Sequence, residues 1–163
     1  MINIMIINLH VFCTLCFGWY LFNLIEYSFH KLGHYYHPYN YVYYLHKNHH
    51  KDYPMTDLYS ETYRGRIDGI LAFFIPSIII TLFLYSLLDI YIFKIISGEL
   101  VCLTIISDTL HTQIHTKKSV LERFKWFREN RRLHFIHHQA VNKNFSFAGL
   151  SHDTDKLLNT FRD

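Results

Sequence analysis

The sequence predicts an all-α integral membrane protein, a helical bundle with about three to four spans and a histidine-rich metal site at its cytoplasmic face. Three observations support this fold class: long uncharged runs, a one-sided distribution of Lys and Arg, and histidines at helical spacing. Thirteen of the 163 residues are His. A chain of this length predicts one domain, covering residues 1–163.

The predicted spans are runs without charged side chains. Residues 1–25 and 70–88 contain no Asp, Glu, Lys or Arg. At ~1.5 Å per residue, a helix over the second run covers about 28 Å, close to the roughly 30 Å of a hydrocarbon core. A third run, residues 90–107, is interrupted by Lys94 and Glu99. We expect Lys94 near the far interface and Glu99 facing other helices.

The basic residues indicate the orientation of these spans. Of sixteen Lys and Arg, five lie within residues 26–66, ten lie after residue 116, and only Lys94 lies elsewhere. The positive-inside rule therefore places both basic segments on the cytoplasmic side. The expected location is the endoplasmic reticulum in a eukaryote and the inner membrane in a bacterium. Topology also accounts for the net charge of +3 without a nucleic-acid partner.

One basic stretch carries its own prediction. Within KKSVLERFKWFRENRR (117–132), Val120, Phe124 and Phe127 fall on one face of an assumed helix among Lys and Arg. This pattern is typical of a helix that lies in the lipid headgroup layer. A solvated charged helix is the alternative interpretation.

Ten histidines recur in four clusters. HKNHH (46–50) and HFIHH (134–138) repeat the same His-x-x-His-His phrase. Spacings of three and four residues put side chains on one side of a helix, so that each cluster can direct its imidazoles at a common point. The four clusters comprise His30 and His34; His46, His49 and His50; His111 and His115; and His134, His137 and His138.

The number and type of these side chains predict two metal ions. Ten imidazoles exceed the four to six ligands of a single ion, and imidazole suits iron, zinc and copper alike. The cysteines, Cys13, Cys16 and Cys102, lie inside the predicted spans, where packing is their expected role. The isolated histidines His10, His37 and His152 are expected to be satisfied core or interface residues.

Two carboxylates follow the histidine spacing. Glu26 precedes His30 by four residues, and Asp108 precedes His111 by three. Such carboxylates can accept the outer ring N–H of metal-bound imidazoles, which fixes the tautomer and raises ligand basicity. Helix capping or a buried ion pair is the alternative role.

Taken together, these segments resemble the fatty acid hydroxylase and sterol desaturase superfamily of membrane-bound, non-haem di-iron enzymes. The resemblance runs from Glu26 to Thr160. EYSFHKLGH (26–34), HKNHHKDYPMTD (46–57), DTLHTQIH (108–115) and HFIHHQAVNKNFSF (134–147) are similar to the four histidine boxes of that superfamily. The second box, with its Pro-Met-x-Asp, is most similar to that of fatty acid 2-hydroxylases.

The resemblance implies the chemistry of the site. It implies that the ten clustered histidines hold two iron ions, for which zinc can substitute in isolated protein, with Glu26 and Asp108 supporting them. O2 is the implied co-substrate, a lipid chain the substrate, and an external donor such as cytochrome b5 or a ferredoxin system the source of electrons. Asp155 in DTDKLLNT matches a C-terminal Trp-Asp-x-Leu stretch, although Thr154 replaces the Trp. Ser146 and Asn159 stand where relatives usually carry Gly.

Other functions stay open at this point. Hydroxylation or desaturation of a sterol or carotenoid would use the same site, because substrate position selects the product. A zinc-dependent membrane hydrolase needs only three imidazoles for its metal. A non-catalytic metal-binding membrane protein is the third alternative.

Overall fold

The computed structural model describes residues 2–65, 68–146 and 150–163, with side chains from residue 9 onward and, after 65, from residue 75. These residues form helices and loops, without a named β-strand. A 3₁₀ turn, Val120–Arg123, precedes α5. The α-helices are α1 (Ile2–Gly33), α2 (Tyr41–Asp52), α3 (Asp68–Tyr85), α4 (Ile90–His115), α5 (Lys125–Gln139) and α6 (Asp153–Leu157).

Two helices of the described chain are long and apolar enough to cross a bilayer. They are Leu9–Gly33 in α1 and Ile90–His115, which is α4. The part of α3 whose side chains are described, Ile75–Tyr85, is apolar but shorter, and α3 continues through Pro76. The all-helical class is confirmed, and three to four membrane spans stay a prediction.

Helices α1 and α4 pack along their length through an apolar core. Phe22 and Ile25 of α1 meet residues of α4 that include Ile96 and Leu100. Gly18 sits directly beneath the carboxylate of Glu99, where a Cβ would clash with Oε2. Glu99 therefore faces a neighbouring helix, as predicted.

The segment after α4 differs from the prediction. Phe124 adopts an extended conformation (φ −92°, ψ 130°) and separates the 3₁₀ turn from α5. Val120 is exposed, whereas Phe127 is 1 % exposed and lies beneath the Arg131 guanidinium at 4.9 Å. The prediction of one apolar face with Phe127 on it is wrong, because helical spacing does not hold across Phe124. Trp126 takes an exposed position beside Phe124 instead.

The helices that carry histidines meet at one end of the bundle. Two of them begin at side-chain caps: Asn40 accepts from the Tyr43 N–H at the start of α2, and Asp89 accepts from the Tyr91 N–H at the start of α4. The loop after α2 is tied to the end of α4, because the Ser60 N–H donates to the His115 carbonyl at 3.0 Å. This packing brings the ends of α1 and α4 against α2 and α5.

Candidate metal centre

The four histidine clusters converge into one site with two halves. Each half contains four imidazoles whose ligand nitrogens all lie within 4.8 Å of one another. Group one comprises His30, His34, His46 and His137, and group two comprises His49, His115, His134 and His138. The spacing of the sequence clusters thus leads to two four-histidine sets, each suited to one ion.

In group one the inner ring nitrogens are in close contact. His34 Nε2 lies 2.8 Å from His46 Nε2 and 3.1 Å from His137 Nε2. His30 Nε2 lies 3.2 Å from His46 Nε2. His30 and His137 are buried, and His34 and His46 are half-buried.

Group two has the same arrangement, with all four residues buried. His134 Nε2 lies 2.9 Å from His115 Nε2 and 3.1 Å from His138 Nε2. The ring of His49 lies 4.8 Å from that of His115. His49 comes from α2, so group two draws on three helices.

The two remaining clustered histidines, His50 and His111, lie beside these groups. His50 Nε2 lies 2.9 Å from His46 Nε2, and its ring lies 4.3 Å from that of His138, between the groups. The ring of His111 lies 4.6 Å from that of His49. All ten predicted residues therefore lie in this site, and their role as ligands stays a prediction.

Each copy of the His-x-x-His-His phrase lies on one helix and contributes histidines to both groups. On α5, His134 and His138 belong to group two and His137 to group one. On α2 the assignment is inverted, because His46 belongs to group one and His49 to group two. On a helix, positions i and i+4 are about 40° apart, and position i+3 lies about 60° away on the other side. A single phrase can therefore contribute imidazoles to both groups.

Main-chain carbonyls fix the outer nitrogens of four imidazoles. In group one, His30 Nδ1 donates to the Phe145 carbonyl at 2.5 Å, and His137 Nδ1 donates to the Lys143 carbonyl at 2.6 Å. In group two, His115 Nδ1 donates to the Leu58 carbonyl at 2.9 Å, and His138 Nδ1 donates to the Tyr53 carbonyl at 3.0 Å. A carbonyl can only accept, so each Nδ1 carries the proton.

The position of the proton on these rings indicates whether the site fits a metal ion. With the proton on Nδ1, the Nε2 atoms of His115 and His138 are acceptors, yet both point at His134 Nε2. His134 Nε2 can offer at most one proton to these two lone pairs, whereas a cation between the three nitrogens would be bound by all of them. With metal–nitrogen bonds of about 2.0–2.1 Å, two ligands at right angles are about 2.9 Å apart. The observed nitrogen spacing therefore fits imidazole ligation of a metal ion.

The electrostatics agree with neutral, ligand-competent imidazoles. Burial, followed by repulsion from His50, lowers the pKa of His34 to about 3. Burial lowers the pKa of His50 to about 4. Burial and then the neighbouring imidazoles also lower the pKa of His134 and of His137. These four rings are neutral at pH 7, the state in which imidazole binds a metal.

The two predicted supporting carboxylates lie in different surroundings. Glu26 is 1 % exposed and accepts a hydrogen bond from Ser107 Oγ at 2.6 Å. Asp108 is half-buried and lines an apolar groove between α3 and α4. It makes no hydrogen bond with a histidine of the described chain. The supporting role of both residues stays a prediction.

The three isolated histidines lie outside both groups. His10 and His37 are exposed. His152 is half-buried, and its Nδ1 lies 3.6 Å from Asp155 Oδ2.

The loops at residues 53–58 and 143–145 lie at the ends of the second and fourth histidine boxes, but the sequence does not predict their contacts with the imidazoles. Their contribution is carbonyl oxygens, which every residue possesses, so no side-chain pattern marks them. One residue does offer a signal. Tyr53 lies three residues after His50, is 0 % exposed, and stacks on His115 with ring centroids 4.1 Å apart.

Comparison with known families gives one match. The profile of the fatty acid hydroxylase family matches residues 15–160, a region that includes all ten clustered histidines. No curated protein and no solved structure gives a significant match to the chain.

Proposed function

The chain belongs to the fatty acid hydroxylase family, and from this premise we propose that it is a membrane-bound, metal-dependent lipid hydroxylase. The proposed substrate is the acyl chain of a fatty acid or ceramide, hydroxylated at the carbon next to the carbonyl. The reaction consumes O2, two electrons and two protons, and it yields one C–OH group and one water. The proposed electron source is an external donor such as cytochrome b5 or a ferredoxin.

One observation carries this proposal: two sets of four imidazoles lie side by side, with His50 between them. We propose that each set holds one iron ion, and that the pair, when bound, supplies the activation of O2. The protein contributes neutral imidazoles, whose inward nitrogens are held in place by carbonyls on the outer side. Fixed ligand orientation of this kind lowers the cost of assembling the site.

An apolar groove beside the site supports a long-chain substrate. A cavity of about 360 Å³ runs between α3 and α4, and its α4 wall extends from Ser97 to Thr109. From Ser97 to Asp108 the helix rises about 16 Å. Asp108 is three residues before His111, so the polar end of the groove lies toward the histidines. We propose that an acyl chain lies in this groove, with its oxidised carbon toward the metal ions.

A groove-filling variant tests that position. Thr104→Trp places an indole in the groove that Thr104 lines, and we expect it to shift the products toward shorter acyl chains. Ile106→Trp is the matched control, because Ile106 is 46 % exposed on the same helix and does not line the groove. An unchanged chain-length distribution in Thr104→Trp would place the substrate elsewhere.

Lipid mass spectrometry tests the function itself. Cells that express the wild-type chain with an electron donor are compared with cells that express His137→Ala or His10→Ala. We expect a lipid that gains one oxygen in wild type and His10→Ala, and its absence in His137→Ala. Labelling with ¹⁸O₂ identifies the source of the oxygen.

Other outcomes would replace the proposal. A lipid that loses two hydrogens would indicate desaturation at the same site. Products that carry oxygen from water would indicate a metal-dependent hydrolase. Equal products in His137→Ala and wild type would show that the histidine groups do not take part in the reaction.

A further inference from the structure

The C-terminal segment holds the loop that supports group one. Asp155 in α6 is 0 % exposed. Its Oδ1 accepts from the Phe145 N–H at 2.8 Å, and its Oδ2 accepts from the Ser146 N–H at 2.8 Å. Thr160 Oγ1 donates a third hydrogen bond to Oδ1, also at 2.8 Å. This buried carboxylate therefore fixes two successive backbone amides.

One of these amides leads directly to the metal centre. The Ser146 N–H and the Phe145 carbonyl belong to the same peptide group. Asp155 accepts from its N–H end, and His30 Nδ1 donates to its carbonyl end at 2.5 Å. A negative charge at the N–H end polarises the amide and makes its carbonyl oxygen a stronger acceptor, as hydrogen bonds in chains strengthen one another.

The charge needed for this effect is present at neutral pH. Burial raises the pKa of Asp155, but the hydrogen bonds that the carboxylate accepts outweigh burial and bring the pKa to about 2. Within the described chain, the basic group within 4 Å of the carboxylate is the His152 ring, with Nδ1 at 3.6 Å. The Asp155 carboxylate therefore faces the two amides, the Thr160 hydroxyl and the His152 ring.

We propose that Asp155 is a positioning residue of group one: through the Phe145–Ser146 peptide it holds the proton on His30 Nδ1 and strengthens His30 Nε2 as a metal ligand. Metal sites often place a carboxylate directly against the outer N–H of a ligating histidine. Here a single peptide group stands between the two. The inference rests on the proposed metal centre, since it concerns the strength of one of its ligands.

Cobalt titration of the full chain in detergent micelles tests this role. Co²⁺ is added to the metal-free protein, its visible absorption is recorded, and a chelator competes for it. We expect two binding events in wild type. In Asp155→Asn, which removes the charge and leaves one side-chain oxygen to accept from the two amides, we expect one of them to weaken by about tenfold, the lower end of the range for outer-sphere changes. The other event, at group two, should keep its affinity.

A matched variant separates charge from mechanical support. Thr160→Val removes the hydrogen bond to Asp155 Oδ1 and the longer contacts with the Asp155 carbonyl and the Tyr27 hydroxyl, and it leaves the carboxylate and both amide contacts. We expect it to lower the melting temperature of the metal-free protein and to leave both Co²⁺ affinities within twofold of wild type. Equal weakening of Co²⁺ binding in Thr160→Val and Asp155→Asn would overturn the proposal and reduce Asp155 to a structural contact. Unchanged affinity in Asp155→Asn would overturn it as well.

A measurement on the wild-type chain covers the case in which Asp155→Asn does not fold. Nitrogen-15 NMR of histidine-labelled, metal-free protein reports the tautomer of His30, whose signal is identified by its loss in His30→Asn. The proposal requires a protonated Nδ1 with a strongly deshielded N–H proton, and a protonated Nε2 would refute it. Failure of the proposed metal centre gives a different result, namely no Co²⁺ binding to wild type.

Discussion

The imidazoles of the two histidine groups are held in place by different parts of the structure. In both, a loop offers two carbonyls to two outer N–H groups. The loop of group one is hydrogen-bonded to the C-terminal segment: the Asn144 N–H donates to the Thr160 carbonyl, and the Ser146 N–H donates to Asp155. In group two the first carbonyl belongs to the Tyr53–Pro54 peptide, which has no N–H. No relay from a carboxylate through that peptide is possible.

Group two relies on aromatic packing and neutral hydrogen bonds instead. Tyr53 stacks on His115, and its hydroxyl accepts from the Arg64 N–H at 2.5 Å and lies 3.2 Å from Ser60 Oγ. All four imidazoles of this group are buried, whereas two in group one are half-buried. Group two is thus held by a packed interior and group one by a remote charge. Similar ligand sets can therefore be supported by unlike parts of one chain.

The largest expected effect comes from removing one ligand in each group. We expect His34→Ala and His134→Ala each to lower bound zinc from about two ions to about one per chain, because in the proposed centre each group holds its own ion. Elemental analysis of the zinc-loaded full chain checks this. The combined variant should bind none. Loss of both ions in either single variant would mean that the groups bind metal as one unit.

The next effect concerns the aromatic support of group two. Tyr53→Ala removes a buried ring, and we expect the free energy of unfolding to fall by about 3 kcal/mol. Tyr53→Phe keeps the stack on His115 and loses the hydroxyl contacts, with an expected loss of about 1 kcal/mol. Denaturant titration in micelles measures both. Equal losses would assign the support to the hydroxyl and not to the ring.

The charged support of group one predicts a pH dependence. Its carboxylate has a pKa of about 2 in the folded chain and about 3.9 when unfolded. Asp155 therefore contributes its full stability above about pH 4, and this contribution is lost as the pH falls through about 2. The measurement is the difference in melting temperature between metal-free wild type and Asp155→Asn from pH 6 to pH 2.

We expect that difference to be constant above pH 4 and to shrink below it. Comparison with Asp155→Asn removes the contribution of the histidines, which is shared by both proteins. A difference that stays constant down to pH 2 would show that the Asp155 charge does not stabilise the fold.

The smallest effect lies in the turn that returns the C-terminal segment to group one. Asn159 has φ 56°, in the left-handed region, which Gly adopts without strain. We expect Asn159→Ala to cost about 1 kcal/mol and Asn159→Gly to be nearly neutral, since Ala is strained at this φ. Melting temperatures of the metal-free variants test this. A neutral Asn159→Ala would show that the turn relaxes without cost.

The sequence by itself determined which residues form the site. Histidines at spacings of three and four must share one side of a helix, because helical geometry is local. Composition is also a local property, and it marks α1 and α4 as apolar enough to cross a bilayer. Helical spacing gave a wrong prediction at Phe124, because a break in the helix there places Phe127 in the core.

Only the tertiary structure decided how the ten histidines divide and what holds them. The phrase at 46–50 gives His46 to one group and His49 to the other, and that division depends on how α2 packs against α1 and α3. The carbonyls that fix the rings have no side-chain signature. Asp155 acts from 125 residues beyond His30, a distance along the chain that only folding can close.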